Sequence, residues 1–406
     1  MKKFLDFSLK FMRILPQRFL LGTVILWLAT LNLMAQEKRP GLYQRVMNGK
    51  LMQSKLVQKF ISSEKDSTRS AGFVVLPLLG YAPETGLEYG LSGIYNFYID
   101  KSDTLIRTSS IVLQGSLTTK KQSNLKLTSD IWTKDNDYHL ISEIRYKDFP
   151  FNFYGIGDQT RKADKDSLVQ RLFRLRLEGE KKIVKNYYIG LGLIYENYEY
   201  KDEAPGGIYD WTPLYGKEGG KYLAFGISQL YDSRNTNIYT TKGYYARAVY
   251  HYMPDFWGGT NFEGGRLDFD LRAFFPLTSK LTLGLHATYD EYFGNVPFYL
   301  FPQLGSDEVM RGYYPGRYRD KTLMTSQAEL RYRIHPRIGF TAFMGAGTVY
   351  NKKIDFSSLK PSFGGGLRYF FDLEHNSSIR IDYGMGEKRP GEPRQSAFYL
   401  SLGEAF

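Results

Sequence analysis

From about Phe73 to Phe406 the chain falls into runs of roughly ten residues in which polar and apolar side chains alternate with a period of two, separated by turn residues. In Arg266 to Phe275, Arg266, Asp268, Asp270 and Arg272 share one face, while Leu267, Phe269, Leu271 and Phe275 share the other. The pattern recurs. Gln327, Glu329, Arg331 and Arg333 oppose Ala328, Leu330, Tyr332 and Ile334; Arg174, Arg176, Glu178 and Glu180 oppose Phe173, Leu175 and Leu177; Arg380 and Asp382 oppose Ile379, Ile381 and Tyr383. One face carries too many charges for a soluble core, and the other is too apolar for water. Apolar-out, polar-in alternation marks a transmembrane barrel strand, because every backbone group must pair within the sheet when one face meets lipid.

Sixteen such strands are predicted: 73–80, 86–99, 106–119, 124–134, 138–149, 169–183, 187–201, 221–232, 243–254, 261–277, 281–294, 322–334, 338–350, 361–371, 378–387 and 396–406. The expected fold is all-β, a 16-stranded antiparallel transmembrane β-barrel. An even count puts both barrel ends in the periplasm of a Gram-negative cell, so connections after odd-numbered strands should be the long external ones. Those at 150–168, 202–220, 295–321 and 351–360 fit, as do the short inner turns Asn136-Asp137, Thr278-Ser279-Lys280 and His335-Pro336-Arg337. Ser233 to Lys242 is long for an inner turn, and Tyr81 to Thr85 short for an outer loop.

At the end of the chain, Phe398, Leu400, Leu402 and Phe406 fall on the lipid side, with Glu404 as an exception. A terminal aromatic of this kind resembles the signal by which outer-membrane proteins are recognised for insertion. The start of the chain differs. Lys2, Lys3, Lys10, Arg13 and Arg18 precede the apolar stretch Phe19 to Leu33, and Met34-Ala35-Gln36 follows, which predicts a signal peptide over 1–35 cleaved after Ala35. In 36–71, apolar residues recur at three and four positions between Leu42 and Ile61, predicting a short periplasmic helical extension with a linker before a barrel domain over 72–406. That extension can plug the pore, dock a periplasmic or lipoprotein partner, or remain loosely ordered.

Composition narrows the function classes. Aromatics make up 16% of residues, with 33 Tyr and 28 Phe, as lipid-facing strands require. The chain has no Cys, which excludes a disulfide scaffold, a thiolate metal site, a cysteine nucleophile and a lipoprotein anchor. Of the formal charge of +12, the signal contributes five basic residues against Asp6, leaving about +8. Lys and Arg are interleaved with Asp and Glu, so the excess reads as lumen and loop charge near phospholipid and lipopolysaccharide, not as a nucleic-acid surface. His286 and Asp290 share a lumen face and His139 lies in another strand, but no Ser is paired with either, so a lipid-hydrolase reading has no triad. No cofactor or metal is expected, and Gly364-Gly365-Gly366 reads as room for an inserted loop or a bend in the wall.

One connection is unlike an ordinary loop. Leu304 to Asp320, LGSDEVMRGYYPGRYRD, is dense in Gly, Arg and Tyr. Arg311 offers a planar fork for carboxylates, Gly312 a sharp turn, and Tyr313 a ring with a hydrogen-bonding tip. As the sixth external loop of a sixteen-stranded barrel, with Arg311-Gly312-Tyr313 at its tip, it resembles the BamA/TamA superfamily of outer-membrane assembly and translocation barrels, the bacterial surface antigen family. The resemblance implies that this loop folds into the lumen and that acids on the inner wall fix its tip. Tyr231-Asp232-Ser233-Arg234-Asn235 followed by Gly243-Tyr244 is similar to the family's Asp-x-Arg-Asn turn ahead of a Gly-aromatic strand start, singling out Asp232, Arg234 and Gly243. Leu76-Pro77 with Tyr81 to Gly86 is similar to the opening of the barrel in short members.

Two departures stand out. The family's Phe-x-Asp-x-Gly strand reads Phe343-Met344-Gly345-Ala346-Gly347 here, so Glu329 is the expected substitute acid for Arg311, with Asp382 in reserve. The segment Gln36 to Ser70 is too short for one of the family's periplasmic POTRA domains, so the chain is expected to be a short member lacking them. The implied function is assembly, insertion or translocation of client outer-membrane or secreted polypeptides without covalent chemistry. The alternative is a passive or gated pore or structural barrel.

Overall fold

A computed structural model describes residues 68–82, 86–202, 205–257 and 262–406. The predicted signal peptide and nearly all of the helical extension lie outside the described residues.

Strands β1 to β11 span Gly72–Ala82, Gly86–Phe97, Ser109–Thr118, Ser123–Trp132, Tyr138–Phe153, Asp166–Val184, Tyr187–Asp202, Gly219–Asp232, Gly243–Met253, Gly264–Pro276 and Leu281–Gly294. Two short strands, β12 (Gln303–Leu304) and β13 (Tyr318–Arg319), pair with each other inside the long loop that follows. Strands β14 to β18 then span Thr322–His335, Ile338–Tyr350, Lys360–Asp372, Ser377–Met385 and Ser396–Leu402. Apart from β12 and β13, all belong to one sheet of sixteen antiparallel strands in sequence order, the architecture of a transmembrane barrel.

The alternation of the sequence becomes the two faces of this sheet. Phe173, Leu177, Leu271, Leu285, Leu330, Phe340 and Met344 are exposed on the outer face. On the inner face Arg266 meets Asp290 at 2.7 Å, Arg272 meets Asp270 at 2.5 Å, and Arg247 meets both Glu178 (2.5 Å) and Glu180 (2.8 Å). Lumen charges are thus paired across and along strands, which offsets their desolvation.

The edges β1 and β18 share no ladder among the described residues; β18 pairs only with β17, from Ile379↔Leu402 to Met385↔Ser396. At the short-turn end the flanks meet through side chains instead. Asn96 Nδ2 donates to Ser377 Oγ at 2.8 Å, and the rings of Tyr98 and His375 stack at 5.3 Å.

Two expectations about the closing strand need correction. It ends at Leu402, not at Phe406, because Gly403 takes φ +75° and turns the chain. Phe398 and Leu400 are exposed and Leu402 half-buried, but Phe406 is buried against Phe274 and His286 in the lumen, so it is not a lipid-facing aromatic. Ladder boundaries elsewhere shift slightly: β5 and β6 run on to the pair Phe153↔Asp166, beyond the expected limits of 149 and 169.

Candidate lumen site: the Arg311 anchor of the sixth long loop

The connection between β11 and β14, residues 295–321, is called loop 6 below. Its tip turns on Met310 (φ 54°) and Gly312 (φ +111°), where a Cβ on Gly312 would lie 2.7 Å from the Met385 carbonyl carbon. Only glycine permits both that φ and that approach. Room on the wall comes from Gly384 and Gly386 of β17 and its end: a Cβ on Gly384 would meet the Arg311 carbonyl carbon at 2.6 Å, and one on Gly386 the Tyr313 ring at 2.6 Å. The backbone of the tip therefore lies against the inner wall.

Arg311 is fully buried. Its Nη1 donates to Asp382 Oδ2 at 2.5 Å, its Nη2 to Glu329 Oε2 at 2.6 Å, and its guanidinium lies 3.5 Å above the centre of the Phe343 ring. Glu329 and Phe343 are register partners on β14 and β15, and Gly364 on β16 follows in the same row. A Cβ on Gly364 would meet Phe343 Cζ at 2.6 Å, and one on Gly366 would meet Asp382 Oδ1 at 1.8 Å. The triple glycine thus makes space for the aromatic platform and for one acid, whereas the loop backbone rests on Gly384 and Gly386. At Gly345, which stands where the family's acid is expected, a Cβ would meet Ser326 O at 2.7 Å.

Neighbouring bonds fix the rest of the tip. Ser362 Oγ donates to Arg311 O at 2.6 Å, and Gly312 N to Tyr399 Oη of β18 at 2.8 Å. Tyr313 is fully buried; its hydroxyl donates to Pro361 O (2.6 Å) and accepts from Glu387 N (2.8 Å). Asp307 accepts from Arg380 Nη2 (2.9 Å) and Ser401 Oγ (2.7 Å). The acids continue outward: Glu329 Oε1 accepts from Arg331 Nε at 2.8 Å, Asp382 Oδ1 from Arg368 Nη1 at 2.6 Å, and Arg368 Nε reaches Glu404 Oε2 at 2.7 Å. Arg311, Arg331, Arg368 and Arg380 thus face Glu329, Asp382, Glu404 and Asp307, a formally neutral cluster.

Sequence reasoning missed Arg331, Arg368, Arg380, Asp307, Tyr399 and the platform Phe343. Arg331, Arg368 and Arg380 share the lumen parity of Glu329 or Asp382, and that was the available signal.

The root of loop 6 is held differently. Phe298, Tyr299 and Leu300 pack into an apolar cluster with Phe151, Phe153, Leu168, Tyr198, Tyr209 and Tyr222, drawn from the ends of β5 to β8 and the loops between them. Tyr198 stacks on Tyr299 at 4.9 Å, and Phe153 meets Phe298 edge-on at 5.9 Å. Gly157 N donates to Arg319 O at 2.7 Å, and Arg317 pairs with Glu392 at 2.9 Å. Arg319 is fully buried with its guanidinium 4.4 Å over the Phe151 ring, and no ion pair of it is seen among the described residues. Burial there pushes its guanidinium down to about 10.

At the short-turn end, Asp232 holds Arg234 (2.8 Å) and Arg107 (2.8 Å), and Gly243 sits at φ +110°, where a Cβ would meet Ser233 O at 2.3 Å. The turn between them reaches both ways. Asn237 Nδ2 donates to Thr108 O at 2.8 Å beside β3, while Tyr239 meets Phe370 of β16 edge-on at 5.0 Å. Of the histidines, His286 contacts Asp270 (3.1 Å) and Gln327 (3.0 Å), and His139 contacts Glu180 (2.8 Å) and Asp130 (3.3 Å). Asp290 serves Arg266, not His286.

A sixteen-stranded antiparallel sheet with a long loop seated against its inner face defines the class of outer-membrane β-barrels. The chain belongs to the Omp85 superfamily, whose domain is matched over residues 107–406. Solved structures agree on the fold. BamA from Haemophilus ducreyi lacking POTRA domains 1–3 is similar at 14% identity and TM-score 0.50, over 82% of this chain and 69% of that one. CdiB from Acinetobacter baumannii (12%, TM-score 0.52) and CdiB from Escherichia coli (11%, TM-score 0.53) are similar over 82% of this chain, which spans 59% and 62% of theirs. No curated protein sequence matches.

Proposed function

We propose that the protein is an outer-membrane barrel that inserts, assembles or translocates polypeptide clients without covalent chemistry, with loop 6 as a releasable lumen plug. The observation that carries this reading is the burial of Arg311 between Glu329 and Asp382. A guanidinium costs several kcal/mol to desolvate, and a passive spacer loop has no reason to carry one into the wall. The acids that substitute for the residue missing at Gly345 keep the loop anchored although the local motif has changed. Phospholipid and lipopolysaccharide are the expected surroundings, and unfolded outer-membrane or secreted polypeptides the expected clients; a periplasmic or lipoprotein partner fits the same role.

The test is client folding in liposomes. With the protein reconstituted, an unfolded barrel precursor is expected to fold faster than in lipid alone, and Arg311→Ala is expected to abolish most of the gain. No acceleration, together with a steady, large, ohmic conductance, supports the alternative of a passive pore. The aromatic cluster and the folded turn after β8 favour a closed resting state, so small erratic openings that grow on deleting residues 305–320 are the expected conductance.

A further inference from the structure

Glu329 and Asp382 share an arrangement that the anchor alone does not need. Each gives one oxygen to Arg311 and the other to an arginine that also holds the tail beyond β18. Glu329 Oε1 takes Arg331 Nε, while Arg331 Nη2 donates to Phe406 O at 2.6 Å and Nη1 to Thr240 O at 3.4 Å. Asp382 Oδ1 takes Arg368 Nη1, while Arg368 Nε binds Glu404. Both arginines are at most 2% exposed.

We propose that Arg331 and Arg368 are positioning residues that tie residues 404–406 to the loop 6 anchor, so that withdrawal of Arg311 releases the tail from the lumen wall. When Arg311 leaves, Glu329 Oε2 and Asp382 Oδ2 lose their closest buried partner and keep only the longer contacts of Arg368 Nη2 at 3.8 Å and Arg380 Nη1 at 3.5 Å. A buried carboxylate oxygen held only by such long contacts is costly, and a guanidinium already bound to the neighbouring oxygen can turn to grip both in a fork. Arg331 does so by giving up Phe406 O, and Arg368 by giving up Glu404. Among the described residues the tail then keeps Ser378 Oγ donating to Glu404 Oε1 at 3.2 Å, Gly403 N donating to Ser378 O at 2.8 Å, the Phe406 ring against His286 at 4.8 Å, and its apolar contacts. Lysine cannot make this exchange, since its point charge has no fork. The inference rests on reading loop 6 as a releasable lock, and adds that its release is sensed behind the closing strand.

The chain has no cysteine, so single reporters are clean. Met310 and Ala405 are buried, one in the loop tip and one in the tail. Folded protein carrying Met310→Cys or Ala405→Cys is treated with a water-soluble maleimide, and folding of each variant is checked by heat-modifiable gel migration. Arg311→Ala is expected to speed labelling at both sites by about tenfold or more. In an Arg331→Lys/Arg368→Lys background, adding Arg311→Ala is expected to change the Ala405→Cys rate by less than about twofold, a non-additive cycle. If the double background does not fold, Arg368→Lys alone is expected to shrink the Arg311→Ala effect at the tail. Faster labelling at Met310→Cys with none at Ala405→Cys overturns the coupling and leaves the lock intact. Equal increments at Ala405→Cys in both backgrounds also overturn it. No change at Met310→Cys overturns the lock itself.

Discussion

Arg311 and Arg319 belong to the same loop and are both fully buried, yet their surroundings are opposite. Arg311 has a carboxylate on each side and an aromatic ring beneath; Arg319 has aromatic rings and a carbonyl, Gly316 O at 3.3 Å, with Nε and Nη1 unpartnered among the described residues. The tip of loop 6 is therefore fixed by charge that must be matched, and its root by apolar burial that tolerates a misfit. A matched buried pair is strongly sensitive to loss of either partner, whereas an apolar cluster loses stability in proportion to the volume removed. The two ends of one loop should respond to mutation in different ways.

The largest effect should come from Arg311→Ala, which takes from Glu329 and Asp382 the one cation bonded closely to both. About 3–5 kcal/mol of loss is expected in urea unfolding of the folded barrel. Glu329→Gln keeps the shape and Asp382 but removes one charge, and about 1–3 kcal/mol should be lost in the same assay. At the root, Phe298→Leu keeps an apolar group of similar size and should cost under about 1.5 kcal/mol. Smallest, and opposite in sign, is Arg319→Met: removing a buried guanidinium that lacks an acid should leave stability unchanged or raise it by about 1 kcal/mol. A loss above that size would mean that Arg319 has a partner the contrast denies it.

The same contrast explains what could be read from the sequence. Sixteen period-two runs were legible because lipid on one face and water on the other enforce alternation at every residue. The family resemblance implied that wall acids fix Arg311, and parity put Glu329, with Asp382 in reserve, on the lumen face as candidates. The aromatic cluster was not legible: Phe298 and Tyr209 lie in loops, where no period constrains them, and only the tertiary approach of the connections brings them onto the strand residue Tyr198. The tail misled for a related reason. Alternation carries on through Leu402, Glu404 and Phe406, so the strand looks unbroken, although Gly403 has turned it. Glu404 was the clue, since an acid on the lipid face is unfavourable, and in the structure it lies instead on Arg368.

The central claim is that loop 6 sits against the inner wall beside the closing strand, and one crosslink tests it directly. Ser401 Oγ lies 2.7 Å from Asp307 Oδ2, and the chain brings no cysteine of its own. With Asp307→Cys and Ser401→Cys together, mild oxidation of the protein in outer membranes should give a disulfide in most molecules, seen as a reductant-sensitive shift in gel mobility. If both thiols label freely with maleimide and no disulfide forms, the loop is not on the wall and the account fails.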